Sequence, residues 1–152
     1  AAADRAMKLT LRYGRPLALA MFDIDHFKAV NDQFGHLEGD RVLREIALLV
    51  GNEIRTTDLF GRVGGEEFLI IMPDTPAPAA SELAERLRLR IAESIHAGHP
   101  AGPVTASFGV SCLSGKTTTL RQLIEASDAA LYRAKQNGRN RVEISDPQCA
   151  LL

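Results

Sequence analysis

Arg62-Val63-Gly64-Gly65-Glu66-Glu67-Phe68-Leu69-Ile70-Ile71 sets two glycines and two acids between apolar flanks. Leu59-Phe60 precedes the stretch, and the apolar run from Phe68 to Met72 ends at Pro73. Both flanks are too short for helices and read as strands. Gly-Gly between strands signals a hairpin, because a tight turn needs positive φ and glycine supplies it without steric cost. The tip then carries Glu66 and Glu67 beside backbone that has no side chains in the way. A bulky polar ligand can approach closely there while a carboxylate holds a cation. An ordinary solvated turn has the same local sequence, so the rest of the chain must decide.

Upstream, Leu17 to Phe22 is an unbroken apolar run of strand length, as a strand buried on both faces requires. It ends at Asp23-Ile24-Asp25, two acids leaving the core at a strand end, a favoured place for ligands on open α/β sheets. The competing reading is that Asp23 caps the next helix. His26 to Val30 gives a short helical turn, and Asn31 to His36 reads as a polar loop. A helix is expected from Gly39-Asp40, with Leu43, Ile46, Ala47, Val50 and Ile54 on its buried stripe. Before all of these, Ala3 to Tyr13 reads as a short helix stopped by Gly14 and Pro16.

Downstream of the hairpin, Ser81 is placed to cap a helix whose buried face holds Leu83, Ala84, Leu87, Ile91 and Ile95. Arg86, Arg88 and Arg90 on its other face read as solvated charge. Val104, Ala106, Phe108 and Val110 alternate with small polar residues, the pattern of a strand with one buried side. Leu120 to Ala134 holds one broken helix or two consecutive ones, stopped at Asn137-Gly138. Arg141 to Ile144 is a last short strand. The order of the first six core elements predicts an α/β (α+β) fold with a ferredoxin-like βαββαβ core and a mixed central sheet flanked by helices. In that topology the first strand lies beside the hairpin, so Asp23 and Glu66 converge.

The chain has 152 residues, enough for one domain with a core, and a formal charge of −1, which speaks against a broad nucleic-acid footprint. Residues 1–146 are assigned to the domain and 147–152 to a tail. Cys112 and Cys149 fit neither a disulfide framework nor a zinc site, and Cys112 reads as a small buried hydrophobe. No apolar run approaches the ~20 residues that span a bilayer, and a cytoplasmic location is expected. The chain starts inside helical sequence, as a piece of a longer protein would.

Converging carboxylates with a backbone carbonyl are hard oxygen ligands suited to Mg²⁺ or Mn²⁺. Such ions activate a hydroxyl and stabilise charge at phosphorus, which points to nucleotidyl transfer from a nucleoside triphosphate. Lys28, Lys135 and Arg139 are available to hold phosphates, and the last two are four residues apart at a helix end.

At this point the sequence closely resembles the GGDEF family of diguanylate cyclases. Gly64-Gly65-Glu66-Glu67-Phe68 is the family's GGEEF form. Asp23-Ile24-Asp25-His26-Phe27-Lys28 matches its D-x-D-x-F-K segment. Asn31 to His36 with Gly39-Asp40 matches N-D-x-x-G-H-x-x-G-D, and Ala129 to Asn140 matches A-L-Y-x-A-K-x-x-G-R-N. The usual D-x-L-T-x-L-x-N-R-R segment has no counterpart in residues 1–12.

The resemblance implies a fold related to nucleotidyl cyclase and polymerase palms, and the reaction 2 GTP → cyclic di-GMP + 2 pyrophosphate. It implies two Mg²⁺ (or Mn²⁺) per GTP, held by Asp23, the Ile24 carbonyl and Glu66, with Glu67 a further candidate. Glu66 also becomes the group that helps deprotonate the attacking 3′-hydroxyl. Asn31 and Asp40 would hydrogen-bond guanine, supported by His36, while Phe27, Gly64 and Gly65 complete the substrate site. Arg55-x-x-Asp58, with Arg86 on the neighbouring helix, resembles the family's inhibitory site for the product cyclic di-GMP. Arg55 and Asp58 read by themselves as a local surface pair. A product with two phosphodiester links implies two facing copies, brought together by an upstream sensory or dimerising domain. The alternative is a catalytically silent module that senses GTP or cyclic di-GMP.

Overall fold

The computed structural model describes residues 2–114 and 117–146. The elements run α1 (Ala2–Tyr13), β1 (Leu17–Ile24), α2 (Phe27–Phe34), α3 (His36–Glu53), β2 (Leu59–Gly64), β3 (Glu67–Pro73), α4 (Ala77–Ser94), β4 (His96–Ala97), β5 (Gly102–Pro103), β6 (Ala106–Cys112), α5 (Leu120–Gln136) and β7 (Val142–Ile144). One five-stranded sheet has the order β2-β3-β1-β6-β7. Its first four strands are antiparallel neighbours in the ferredoxin-like order, and β7 adds parallel to β6. The mixed α/β fold expected from the sequence is therefore present. No helix among the described residues is long and apolar enough to cross a membrane.

β1 is buried along all eight residues. Ala18, Ala20, Phe22 and Ile24 join a core with Val42, Ile46 and Val50 of α3 and Ala84, Leu87 and Ile91 of α4. Leu17, Leu19 and Met21 join a second core with Met7 of α1 and Leu123 and Leu131 of α5. Alternation along the strand thus sends Asp23, two residues beyond Met21, to the α5 side. Phe22 is opposite Phe68 on one side and Phe108 on the other. Their rings stack at 4.9 and 4.7 Å between centroids. This aromatic row fixes the register one residue short of Asp23.

Several expectations need correction. β6 is buried on both faces, not one. Its small polar residues do not face water; they let α5 close in. A Cβ at Gly109 would stand 2.1 Å from the Ser127 carbonyl oxygen. The Ser111 hydroxyl donates to Leu123 O at 2.8 Å, and the Ser127 hydroxyl donates to Leu19 O at 3.1 Å. The polar stretch 31–36 is helical up to Phe34, and Gly35 alone, at φ 91°, separates α2 from α3. α4 starts at Ala77 after Pro76, so Ser81 lies inside the helix and does not cap it. α5 is one helix, opened by a capping box between Thr119 and Gln122. The small β4–β5 pair is additional to the expected elements. Cys112 is buried as expected, but it is disulfide-bonded, against the reading of a free thiol. Cys149 and the proposed tail, 147–152, lie outside the described residues.

Candidate functional site

β2 and β3 are joined by the two-residue turn Gly65-Glu66, with Gly64 opposite Glu67 and Gly65 at φ 44°. Arg62 Nε donates to Gly65 O at 2.5 Å and holds the tip. Nothing lies within 4 Å of where a Cβ would stand on Gly64 or Gly65, so the space over the turn is open. The Ile24 amide donates to Glu66 O at 3.3 Å, which pins the tip to the end of β1. Asp23, Ile24 and Glu66 consequently line one cleft of about 470 Å³, together with Phe27, Lys28, Lys135 and Arg139. Residues 112 apart in sequence meet here: Lys135 Nζ donates to Asp23 Oδ2.

Asp23 is the pivot of the cleft. Its Oδ1 is buried and has no hydrogen-bond partner among the described residues. Burial pushes its pKa above the usual carboxylate value; Lys135 opposes this, and the charges of Glu66 and Asp25 add to it. Glu67, opposite Asp23 across the β1–β3 ladder, shares its face of the sheet. Its pKa is also raised, first by burial and then by the Asp128 and Asp23 charges. The two acids therefore differ, against the expectation that both sit at the tip: Glu66 is in the turn and lines the cleft, while Glu67 opens β3 beside Asp23 and feels the charge of Asp128 on α5.

Among the described residues no three His, Cys, Asp or Glu side chains form a ready-made cation cluster. What the cleft offers is the open Oδ1 of Asp23, the Glu66 carboxylate and the adjoining Ile24 backbone. This partial set of hard oxygens fits Mg²⁺ or Mn²⁺, which keep water and substrate phosphates among their ligands. Phe27 and Lys28 begin α2, whose N-terminus has no side-chain cap, leaving its first-turn amides to anionic oxygens. Arg139 reaches the cleft from the turn after α5, at φ 63°, not from the helix face expected for it.

Asn31, His36 and Asp40 are not in the lining of this cleft; they belong to the α2–α3 corner beside it. A Cβ on Gly39 would be 1.9 Å from Asn31 Oδ1 and 3.1 Å from Phe27 Cζ. The missing side chain of Gly39 is what seats Asn31 against α3, next to Asp40. Asp40 and His36 are exposed.

Sequence reading missed Asp128, and it noted Asp25 only as the second acid at the strand end. Asp128 of α5 is the charge that most raises Glu67. Asp25 is buried and accepts hydrogen bonds from Thr105, Ser107 and Asn140. Only the D-x-D spacing marked Asp25, and its partners are 80 or more residues away.

On another side, Arg55, Asp58 and Arg86 line a cleft of about 240 Å³. The Asp58 side chain is only 1% exposed, and its Oδ2 accepts the Arg55 amide at 2.8 Å. Arg55 Nη2 lies 3.5 Å from Asp58 Oδ1 and also donates to Thr75 Oγ1 and, at 2.9 Å, to Pro73 O. Arg86 Nε donates to Glu53 at 3.2 Å.

Comparison with known proteins adds the following. A family model described as "Diguanylate cyclase, GGDEF domain" matches residues 2–141. The response regulator PleD of Caulobacter vibrioides is 42% identical over 142 residues, covering 91% of this chain and 31% of that protein. The chain thus spans about a third of that relative's length, and 20% of the diguanylate cyclase DgcP of Pseudomonas aeruginosa. The active GGEEF domain of a diguanylate cyclase from Vibrio cholerae superposes with a TM-score of 0.89 at 40% identity, over 95% of this chain and 93% of that one. The GGDEF domain of DgcB from Caulobacter crescentus, solved in complex with c-di-GMP, gives 0.87 at 34% identity, over 93% and 85%.

Proposed function

Because the chain belongs to the GGDEF family of diguanylate cyclases, we propose that it condenses two GTP molecules into cyclic di-GMP and two pyrophosphates. The observation that carries this reading is the meeting of Asp23 and Glu66 with Lys28, Lys135 and Arg139 in one cleft. One ion pair would account for Lys135 and Asp23, but an unpartnered buried Asp23 oxygen with Glu66, Lys28 and Arg139 in the same cleft goes beyond what a structural pair needs.

In this reading Asp23, the Ile24 carbonyl and Glu66 hold the divalent ions, with Glu67 a further candidate. Bound there, Mg²⁺ or Mn²⁺ supplies positive charge to the triphosphate and acidifies the attacking hydroxyl. Lys28, Lys135, Arg139 and the first amides of α2 grip the phosphates. Phe27 packs under that turn, and Gly64 and Gly65 leave room for the nucleotide. Asn31 and Asp40 read guanine: a carboxylate accepts from its N1 and N2 hydrogens, which adenine cannot offer. His36 supports that pocket. Glu66 takes the proton from the 3′-hydroxyl, the 3′-oxygen bonds to the other GTP's α-phosphorus, and the bond from that phosphorus to pyrophosphate breaks. Done once in each direction, this closes the ring.

One cleft holds one GTP, so two copies face each other during the reaction. A further domain of the parent protein supplies the pairing by raising effective concentration. The Arg55–Asp58–Arg86 cleft takes the product and restrains the enzyme. Guanidinium forks suit guanine edges and phosphates.

The test is pyrophosphate release from GTP and Mg²⁺ at several protein concentrations, beside Glu66→Gln. Activity per molecule rising with concentration, and lost in Glu66→Gln, supports the reading. No turnover at any concentration, with GTP still bound, points instead to a silent sensor.

A further inference from the structure

We propose that Asp25 is a positioning residue for the phosphate grip: it fastens the turn after α5 so that Arg139 enters the cleft beside Lys135 and Asp23. The inference rests on the phosphate-binding role given above to Arg139.

The turn does not hold itself cheaply. Gly138, Arg139 and Asn140 are at φ 121°, 63° and 46° in succession, and two of them are not glycine. Arg139 costs about 1 kcal/mol or more in this region and Asn140 less, since asparagine tolerates it; such residues persist where surrounding contacts over-determine them. Asp25 supplies those contacts. Its Oδ2 accepts the Asn140 amide at 2.9 Å and Thr105 Oγ1 at 2.8 Å; its Oδ1 accepts Ser107 Oγ at 2.7 Å. The Asn140 amide also reaches Ser107 Oγ at 3.2 Å, and the Asp25 amide donates to Thr105 O at 2.9 Å. Three donors from two distant segments thus converge on one carboxylate.

The chemistry of the group matters. The Asn140 amide can only donate, so it needs an acceptor at the Oδ2 position, whereas the Thr105 and Ser107 hydroxyls can also turn to accept. Removing the carboxyl altogether, as in Asp25→Ala, leaves that amide buried and unpaired. Arg139 lies directly before Asn140, and its own amide donates to Ala134 O at 2.9 Å, one residue from Lys135. Fixing the Asn140 amide therefore fixes the path of Arg139 relative to β1, while the packing of α5 places Lys135.

The experiment measures binding of a non-hydrolysable GTP analogue with Mg²⁺ by calorimetry, for wild type, Asp25→Ala, Arg139→Ala and the double variant. Asp25→Ala is expected to weaken binding about tenfold or more, and Arg139→Ala in that background to cost less than about twofold further, because a misplaced arginine contributes little. Hydrogen exchange at the Asn140 amide should speed up. Should Asp25→Ala fail to fold, Ser107→Ala removes one donor and one acceptor more gently, with the same non-additivity expected at smaller scale. Weakened binding in Arg139→Ala with wild-type affinity in Asp25→Ala and Ser107→Ala, or full additivity, overturns the clamp alone. Wild-type affinity in Arg139→Ala overturns the clamp together with the phosphate assignment.

Discussion

Lys135 of α5 donates to one oxygen of Asp23 at the end of β1 and leaves the other oxygen buried without a partner among the described residues. The ammonium stands where positive charge is wanted but satisfies only half of the carboxylate. A divalent ion would take both the open oxygen and the neutralising role, freeing Lys135 for phosphate. Lys135→Met is therefore expected to lower stability by about 1–3 kcal/mol, the cost of a buried acceptor left unpaired. Mg²⁺ should then raise the Tm of Lys135→Met more than that of wild type, and should not stabilise Asp23→Asn. Thermal melts with and without Mg²⁺ check this; an equal shift in all three proteins would remove Asp23 as a ligand.

Two acids should give opposite pH slopes. Glu38, which accepts from Arg41 at 2.7 Å and from the Gly98 amide at 2.8 Å, is pushed down from 4.5 to about 2, mainly by the Arg41 hydrogen bonds. Its contribution is present above the unfolded value and lost as pH falls from 4.5 toward 2. Glu67 is raised by burial, so its contribution is present below the unfolded value and lost as pH rises through the folded one. Glu38→Gln should lower Tm by a few degrees at pH 7 and meet wild type in strong acid. Without divalent ions, Glu67→Gln should raise Tm at pH 7 and converge with wild type as pH falls. Parallel curves for either variant would contradict its assignment.

Gly39 and Gly51 lie on the same helix, α3, yet alanine should act oppositely at them. At Gly39 the new Cβ would meet Asn31 Oδ1 at 1.9 Å, so Asn31 must leave its seat beside Asp40. GTP affinity is expected to fall about tenfold, the size of effect that one good hydrogen-bonded pairing to a base carries. At Gly51 nothing lies within 4 Å, and alanine should stabilise the fold by about 0.5–1 kcal/mol through helix propensity, with GTP affinity unchanged. Calorimetry and denaturant melts on the two variants separate these effects.

The sequence made the hairpin, the buried first strand and the four-motif order legible, because each rests on local pattern or spacing. It did not reveal what depends on distant packing. Ser107, Gly109 and Ser111 look like a solvent face until α5 is laid over them. The segment 31–36 looks like a loop because Asn, Asp and Gly favour turns, but Gly35 alone breaks the helix there and the α2–α3 packing holds the rest. Asp25 reads only as a neighbour of Asp23, since its donors come from the start of β6 and the turn after α5. Helical spacing assigns Arg139 to the cleft, and it gets there by a left-handed turn.

The second cleft is pre-arranged but already occupied by its own neighbours. The Asp58 side chain, 1% exposed, is oriented by the Arg55 amide, whereas the Arg55 side chain is 56% exposed and its guanidinium is held by Pro73 O and Thr75 Oγ1. Arg86 is engaged by Glu53, which also holds Arg90 at 3.0 Å. If the product binds here, Arg86 must leave Glu53. Arg55→Ala is expected to remove inhibition by added cyclic di-GMP while turnover stays within about twofold, because the residue lines a different cleft from Asp23 and Glu66. Glu53→Gln should do the reverse: with the carboxylate charge gone, Arg86 is released and inhibition sets in at several-fold lower product. Both are read from initial rates against product concentration. Product sensitivity unchanged in Arg55→Ala would detach this cleft from regulation and leave Arg55 and Asp58 as a local structural pair, its acid buried rather than on the surface as the sequence suggested.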